Sequence, residues 1–214
     1  MHIPVSHGRL EAQLREAEVP LRGCAVICHP HPLFGGTMHT KAVFRTAQAL
    51  NEVGFHALRF NFRGVGTSTG EYGEGVTEQE DVEAALDWAE QTYPELPQLL
   101  GGFSFGSMVA LKVGVRDPRP RALLGLGLAF DKWDYSFLQG LEKPLLVVQG
   151  EEDEFGAGTE VERVVSGLSS TITTRCIPKS DHYFHDHFDE LQEVVREYFT
   201  TGPGGLPFPS PDAD

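Results

Sequence analysis

Short, wholly apolar runs alternate along this chain with longer segments of helical period, and that alternation restricts its fold more than any other feature. Cys24-Ala-Val-Ile-Cys28 is apolar at every position, as a strand buried on both faces must be. In the following segment 38–53, Ala42, Val43, Ala47, Leu50 and Val53 recur at helical spacing, and Gly54 supplies a stop. The same reading predicts strands at about 55–60, 98–103, 122–129, 145–149 and 171–177. It predicts helices at about 78–93, 106–115, 161–168 and 185–199, the first of these ended by Pro94. Strands alternating with helices imply an α/β fold: a mostly parallel central sheet with helices on both faces. Ahead of this unit, residues 3–5 and 10–14 flank Ser6-His7-Gly8 and are expected to form an antiparallel N-terminal hairpin.

At 214 residues the chain fits one domain, expected over 1–201, and the Pro- and Gly-rich segment 202–214 is expected to be a mobile tail. Its 17 Lys and Arg against 31 Asp and Glu leave a net charge of −14, which repels phosphate backbones and anionic lipid headgroups. Nucleic-acid and membrane partners are therefore not expected. Three cysteines are too few for a disulfide framework, and Cys24 and Cys28 stand in an apolar run where thiols pack as small hydrophobes. With no basic flank and apolar stretch at residues 1–5, the expected location is cytoplasmic.

Gly102-Phe-Ser-Phe-Gly106 stands between a predicted buried strand and a predicted helix, where a Gly-x-Ser-x-Gly sequence has mechanical meaning. Glycines two residues either side let strand and helix approach closely, and the tight turn thrusts the Ser104 hydroxyl above the sheet. The helix that begins there adds N–H groups and a positive dipole end for an oxyanion. A serine hydroxyl is a poor nucleophile at neutral pH, so a histidine base and an acid that orients it are needed. Of nine histidines, His182 in Ser180-Asp181-His182 follows the last predicted strand and can lie at the carboxyl edge of the sheet. His185 and His187 are expected in the first turn of the final helix; the spacing of the three lacks the companions of a metal site. The acid is sought in Glu151-Glu-Asp-Glu154, directly after a strand, or at Asp131. Spacing alone does not choose among them. Asp181 is disfavoured because adjacent side chains on an extended segment diverge.

The chain order of serine, acid and histidine resembles that of the α/β-hydrolase superfamily, and within it the small dienelactone-hydrolase-like bacterial serine hydrolases. The likeness covers about residues 20–200. It rests on His29-Pro-His-Pro-Leu-Phe-Gly-Gly36-Thr-Met38, Arg59-Phe-Asn-Phe-Arg-Gly64-Val-Gly66-Thr-Ser-Thr-Gly70, Gly102-Phe-Ser-Phe-Gly106, Gly150-Glu-Glu-Asp153 and Asp181-His182. The resemblance implies Ser104 as nucleophile, His182 as base and Asp153 as acid. It also implies an oxyanion hole from the backbone N–H of Phe105 and one N–H of loop 29–36. Pro30 and Pro32 have no N–H, so Leu33 is the expected donor, with His31 and Phe34 as alternatives. His29 and His31 themselves are expected to pack or hydrogen-bond locally, and Arg63 to clamp nearby loops.

Two departures limit what carries over. Dienelactone hydrolases proper use cysteine where this chain has Ser104. Many larger relatives carry a lid in the segment that here is only residues 130–144, too short for a helical cap. An open, shallow pocket for small esters is therefore expected, with no metal or organic cofactor and with the protein a monomer or homodimer. Glu151–Glu154, if beside the pocket, would disfavour strongly anionic substrates. A thioesterase, amidase or acyltransferase would use the same residues, and a catalytically silent binding protein of this fold is the alternative of another class.

Overall fold

The computed structural model describes residues 1–201 and Phe208; the remainder of the expected tail lies outside the described residues. Eight strands form one sheet in the order β1-β2-β4-β3-β5-β6-β7-β8. β1 (His2–Val5) and β2 (Gly8–Arg15) make the expected hairpin, and β2 pairs antiparallel with β4 (Phe55–Phe60). From there β3 (Gly23–Cys28), β5 (Gln98–Phe103), β6 (Pro120–Leu126), β7 (Leu145–Gly150) and β8 (Ile172–Ile177) run parallel. The helices are α1 (Lys41–Glu52), α2 (Glu78–Thr92), α3 (Phe105–Arg116), α4 (Gly158–Val165) and α5 (Phe188–Thr201). None among the described residues is long and apolar enough to cross a membrane.

Alternation along the central strands divides the core in two. Cys24, Val26 and Cys28 face the side covered by α2, α3 and α4, whereas Ala25 and Ile27 face α1 and α5. Burial in that first layer pushes the Cys24 thiol up to about 12 and raises Cys28 as well, so both behave as small hydrophobes. Phe208 is also buried, its ring 4.8 Å from that of Phe55.

Several element ends differ from the sequence reading: α4 lies at Gly158–Val165 rather than 161–168, and three other shifts have a local reason. α1 starts at Lys41 rather than Met38, because Thr40 is extended (ψ 131°) and Met38 is tied to the end of β4. There, Met38 N donates to Asn61 Oδ1 at 2.8 Å, and Arg59 Nη1 donates to Met38 O at 2.7 Å. β6 stops at Leu126 because Gly127 turns into the left-handed region (φ 55°). α5 starts at Phe188, after His185 and His187, because Phe184 and Asp186 take positive φ and Asp181 accepts the His185 N–H at 3.0 Å. The segment between β6 and β7 holds no helix beyond the single 3-10 turn Ser136–Leu138, so it forms no helical lid, and none is seen over the carboxyl edge of the sheet among the described residues.

Candidate active site

Parallel strands all deliver their following loops to one edge of the sheet, and a crevice there is the usual ligand site of such folds. β5 delivers Ser104, β7 delivers Asp153 and β8 delivers His182. Ser104 sits at φ 55°, ψ −117°, a backbone conformation that L-residues rarely adopt. Its own N–H donates to Leu126 O on the adjacent strand at 2.8 Å. The flanking glycines are sterically required: a Cβ on Gly102 would lie 2.4 Å from the Gly106 carbonyl carbon, and one on Gly106 would lie 2.4 Å from His29 O. Ser107, which no sequence signal singles out, ties the turn to both strands. Its hydroxyl donates to Gly102 O at 2.6 Å and accepts from Leu126 N–H at 3.0 Å.

The structure brings Ser104, His182 and Asp153 into one hydrogen-bonded line. His182 Nδ1 lies 2.8 Å from Asp153 Oδ2, and His182 Nε2 lies 2.9 Å from Ser104 Oγ. A carboxylate can only accept, which places the proton on Nδ1 and leaves Nε2 to accept from the serine hydroxyl. All three residues are buried. The imidazole is held between the rings of Phe155 and Phe103, with centroids at 4.7 and 5.1 Å. Gly127 is a further position that favours glycine, since its φ is positive and a Cβ there would meet His182 Cε1 at 3.1 Å.

Asp153 is oriented by two further donors: Phe155 N–H to Oδ1 at 2.8 Å, and Gln149 Nε2 to Oδ2 at 2.6 Å. Gln149 is buried and also accepts the Leu128 N–H at 2.8 Å. The other acids go elsewhere. Asp131 pairs with Lys132 Nζ at 2.9 Å, Asp181 with the His185 ring at 2.6 Å, and Glu151 accepts the Lys179 N–H. Glu154 reaches only the His182 backbone N–H, at 3.4 Å. His187 lies against Glu190, so His182, His185 and His187 face separate partners.

Loop 29–36 wraps the far side of Ser104. The buried His29 bridges it to the segment that follows β4, donating from Nδ1 to Pro30 O at 2.6 Å and accepting the Phe62 N–H on Nε2 at 3.0 Å. Burial lowers its pKa to about 4, so the ring is neutral at pH 7. In the 3-10 turn Pro32–Phe34, Leu33 N–H donates to His31 Nδ1 at 3.2 Å, and Phe34 N–H donates to His31 O at 3.1 Å. Leu33 is 66% exposed and is not part of the cavity wall. Both amides are thus committed away from Ser104, whereas the His31 N–H has no partner among the described residues. The His31 ring is fixed by Tyr72, whose hydroxyl accepts from Nε2 at 3.1 Å. Phe105 opens α3, so its N–H has no intrahelical acceptor.

A cavity of about 320 Å³ opens over Ser104 and His182, walled by Phe34, Trp133, Phe155 and Tyr183 together with Lys132. No Asp or Glu is among its lining residues, so the Glu151–Glu154 run does not face it. Arg63 acts away from the cavity as a clamp: its guanidinium and backbone N–H grip the buried Asp81, at 2.7 Å from Nη2 and 2.9 Å from N.

A family model described as an alpha/beta hydrolase domain matches residues 25–194 of the chain. An uncharacterised protein of Rickettsia prowazekii is 34% identical over 203 residues, covering 91% of this chain and 85% of that protein. The structure of an alpha-beta serine hydrolase homologue from Coxiella burnetii superposes with a TM-score of 0.85 at 36% identity, over 92% of this chain and 95% of that one. A serine hydrolase without lid from Xanthomonas campestris does so at 0.85 and 31% identity, over 93% and 91%. The chain belongs to the alpha/beta hydrolase family.

Proposed function

We propose that the protein is a serine hydrolase that cleaves small carboxylic esters through an acyl-enzyme on Ser104. The observation that carries this reading is the line Ser104 Oγ to His182 Nε2 to Asp153 Oδ2, at 2.9 and 2.8 Å, opening on an unlidded cavity. His182 takes the hydroxyl proton as Ser104 attacks the ester carbonyl. Asp153 holds the Nδ1–H tautomer and stabilises the imidazolium that forms. The negative charge on the tetrahedral oxygen is received by the N–H of Phe105 and by the N–H of His31 in place of Leu33, whose amide is already engaged. His182 then protonates the leaving alcohol, and water activated by the same ring releases the acid and restores Ser104.

The reaction as drawn uses side chains and backbone N–H groups of this chain together with water, and the aromatic walls suit an apolar acyl or alcohol group of modest size. The test is hydrolysis of a panel of short-chain esters, thioesters and amides by the native protein and Ser104→Ala. The expected result is ester cleavage that falls by about a thousandfold or more in the variant. Ester hydrolysis retained by Ser104→Ala would overturn the assignment, and turnover of thioesters or amides alone would redirect it.

A further inference from the structure

The wall of the cavity over Ser104 is largely aromatic, and Lys132 is the one permanently charged side chain among its described lining residues. A cation in that position runs against the rest of the molecule, whose net charge is −14. Lys132 Nζ lies 5.3 Å from the centre of the Phe155 ring, which itself lies 4.7 Å from the His182 ring. These two distances bound the ammonium to within about 10 Å of the imidazole centre. A small ester held at Ser104 therefore has its far end within reach of the ammonium. The Lys132 partner, Asp131 at 2.9 Å, is 44% exposed and lies outside the cavity wall. Exposed pairs of this kind contribute little, so exchanging Asp131 for a carboxylate on the substrate carries a small penalty.

Resting on the reading of Ser104 as nucleophile, we propose that the preferred substrate is an ester with a carboxylate at the far end of an apolar body, and that Lys132 receives that carboxylate. The apolar body packs against Trp133, Phe155 and Tyr183. The ammonium, on a side chain 52% exposed that lies beside the Phe155 ring, supplies the charge. Lys132 is in this account the residue that sets specificity, separate from the groups that make and break bonds.

The experiment compares matched anionic and neutral esters at low and high salt. The acid-side pair is the p-nitrophenyl half-ester of adipic acid against p-nitrophenyl hexanoate. The alcohol-side pair is 4-acetoxyphenylacetate against 4-methylphenyl acetate, each corrected for its rate without enzyme. In at least one pair kcat/KM is expected to favour the anion by about fivefold or more, an advantage that shrinks as salt shortens the screening length. Lys132→Met should abolish the preference, Lys132→Arg should keep it and Lys132→Glu should invert it. Equal or better turnover of the neutral ester in both pairs overturns the proposal, as does a preference that survives Lys132→Met. Absence of all ester turnover together with failure of a fluorophosphonate to label Ser104 overturns the reading of Ser104 itself. Labelling and neutral-ester turnover without anion preference overturn the Lys132 proposal alone.

Discussion

Gln149 and His182 converge on one oxygen of Asp153: the amide Nε2 donates to Oδ2 at 2.6 Å and the imidazole Nδ1 donates to the same atom at 2.8 Å. Gln149 also holds the Leu128 N–H at 2.8 Å, joining the acid to the loop that leaves β6. Gln149→Met keeps the volume and removes all of these bonds. It is expected to cost about 1–3 kcal/mol of stability, because the Leu128 N–H is left buried without an acceptor. It should also lower kcat by about tenfold with a smaller change in KM, since the aim of Asp153 loosens. Urea melts with steady-state kinetics read both; an unchanged kcat would show that Phe155 N–H alone orients Asp153.

The acid itself is tested by two exchanges that differ only in position. Asp153→Asn is expected to cut kcat/KM by about a thousandfold or more, because the amide no longer enforces the Nδ1–H tautomer. Asp131→Asn should leave neutral-ester turnover within about twofold, since that carboxylate pairs with Lys132 on the surface. The reverse ranking would transfer the role to Asp131.

Tyr72 supports the His31 ring from outside the cavity, accepting from Nε2 at 3.1 Å while Nδ1 accepts from Leu33. Tyr72→Phe should leave the fold intact and lower kcat about three- to tenfold by letting the His31 N–H drift from the oxyanion. KM for a neutral ester should change little. Loss of binding with kcat preserved would place Tyr72 with the substrate instead.

His29 gives the fold a defined response to acid. Its native pKa, lowered to about 4 by burial, lies below the ordinary 6.5, so the unfolded chain binds its proton more readily. Stability from this ring is complete above pH 6.5 and is lost as the pH falls toward 4, in all about 3 kcal/mol. His29→Gln retains a donor and an acceptor but does not titrate. Its unfolding free energy should fall less steeply than the native protein's over this window; parallel slopes would contradict the account.

Much of the molecule was legible in its sequence because the physics was local. The apolar run 24–28 and its successors had to be buried strands, and glycines at 102 and 106 marked a turn whose close contacts admit no Cβ. The positions of Ser104 and His182 followed from the strand ends that carry them. What escaped depended on contacts distant in sequence. Gln149 reads as the polar last residue of an apolar strand, and nothing near it shows that it meets Asp153 and Leu128. Gly127 reads as one glycine among many until the His182 ring, 55 residues later in the sequence, is placed against it. Leu33 was the donor expected from the resemblance once the prolines were set aside; the His31 ring turns back on the 3-10 helix to occupy its amide, a bond with no sequence signature. Spacing alone did not rank the four carboxylates at 151–154, and only the resemblance pointed to Asp153; the fold sends that one to the imidazole ring and the others to backbone or solvent.

The most direct test of the account is the intact mass of the protein after brief exposure to a fluorophosphonate at neutral pH. A single adduct on the native chain, mapped to the peptide containing Ser104 and absent from Ser104→Ala and His182→Ala, is the predicted result. An unmodified native protein, or an adduct that persists in Ser104→Ala, would contradict the claim that His182 and Asp153 activate Ser104.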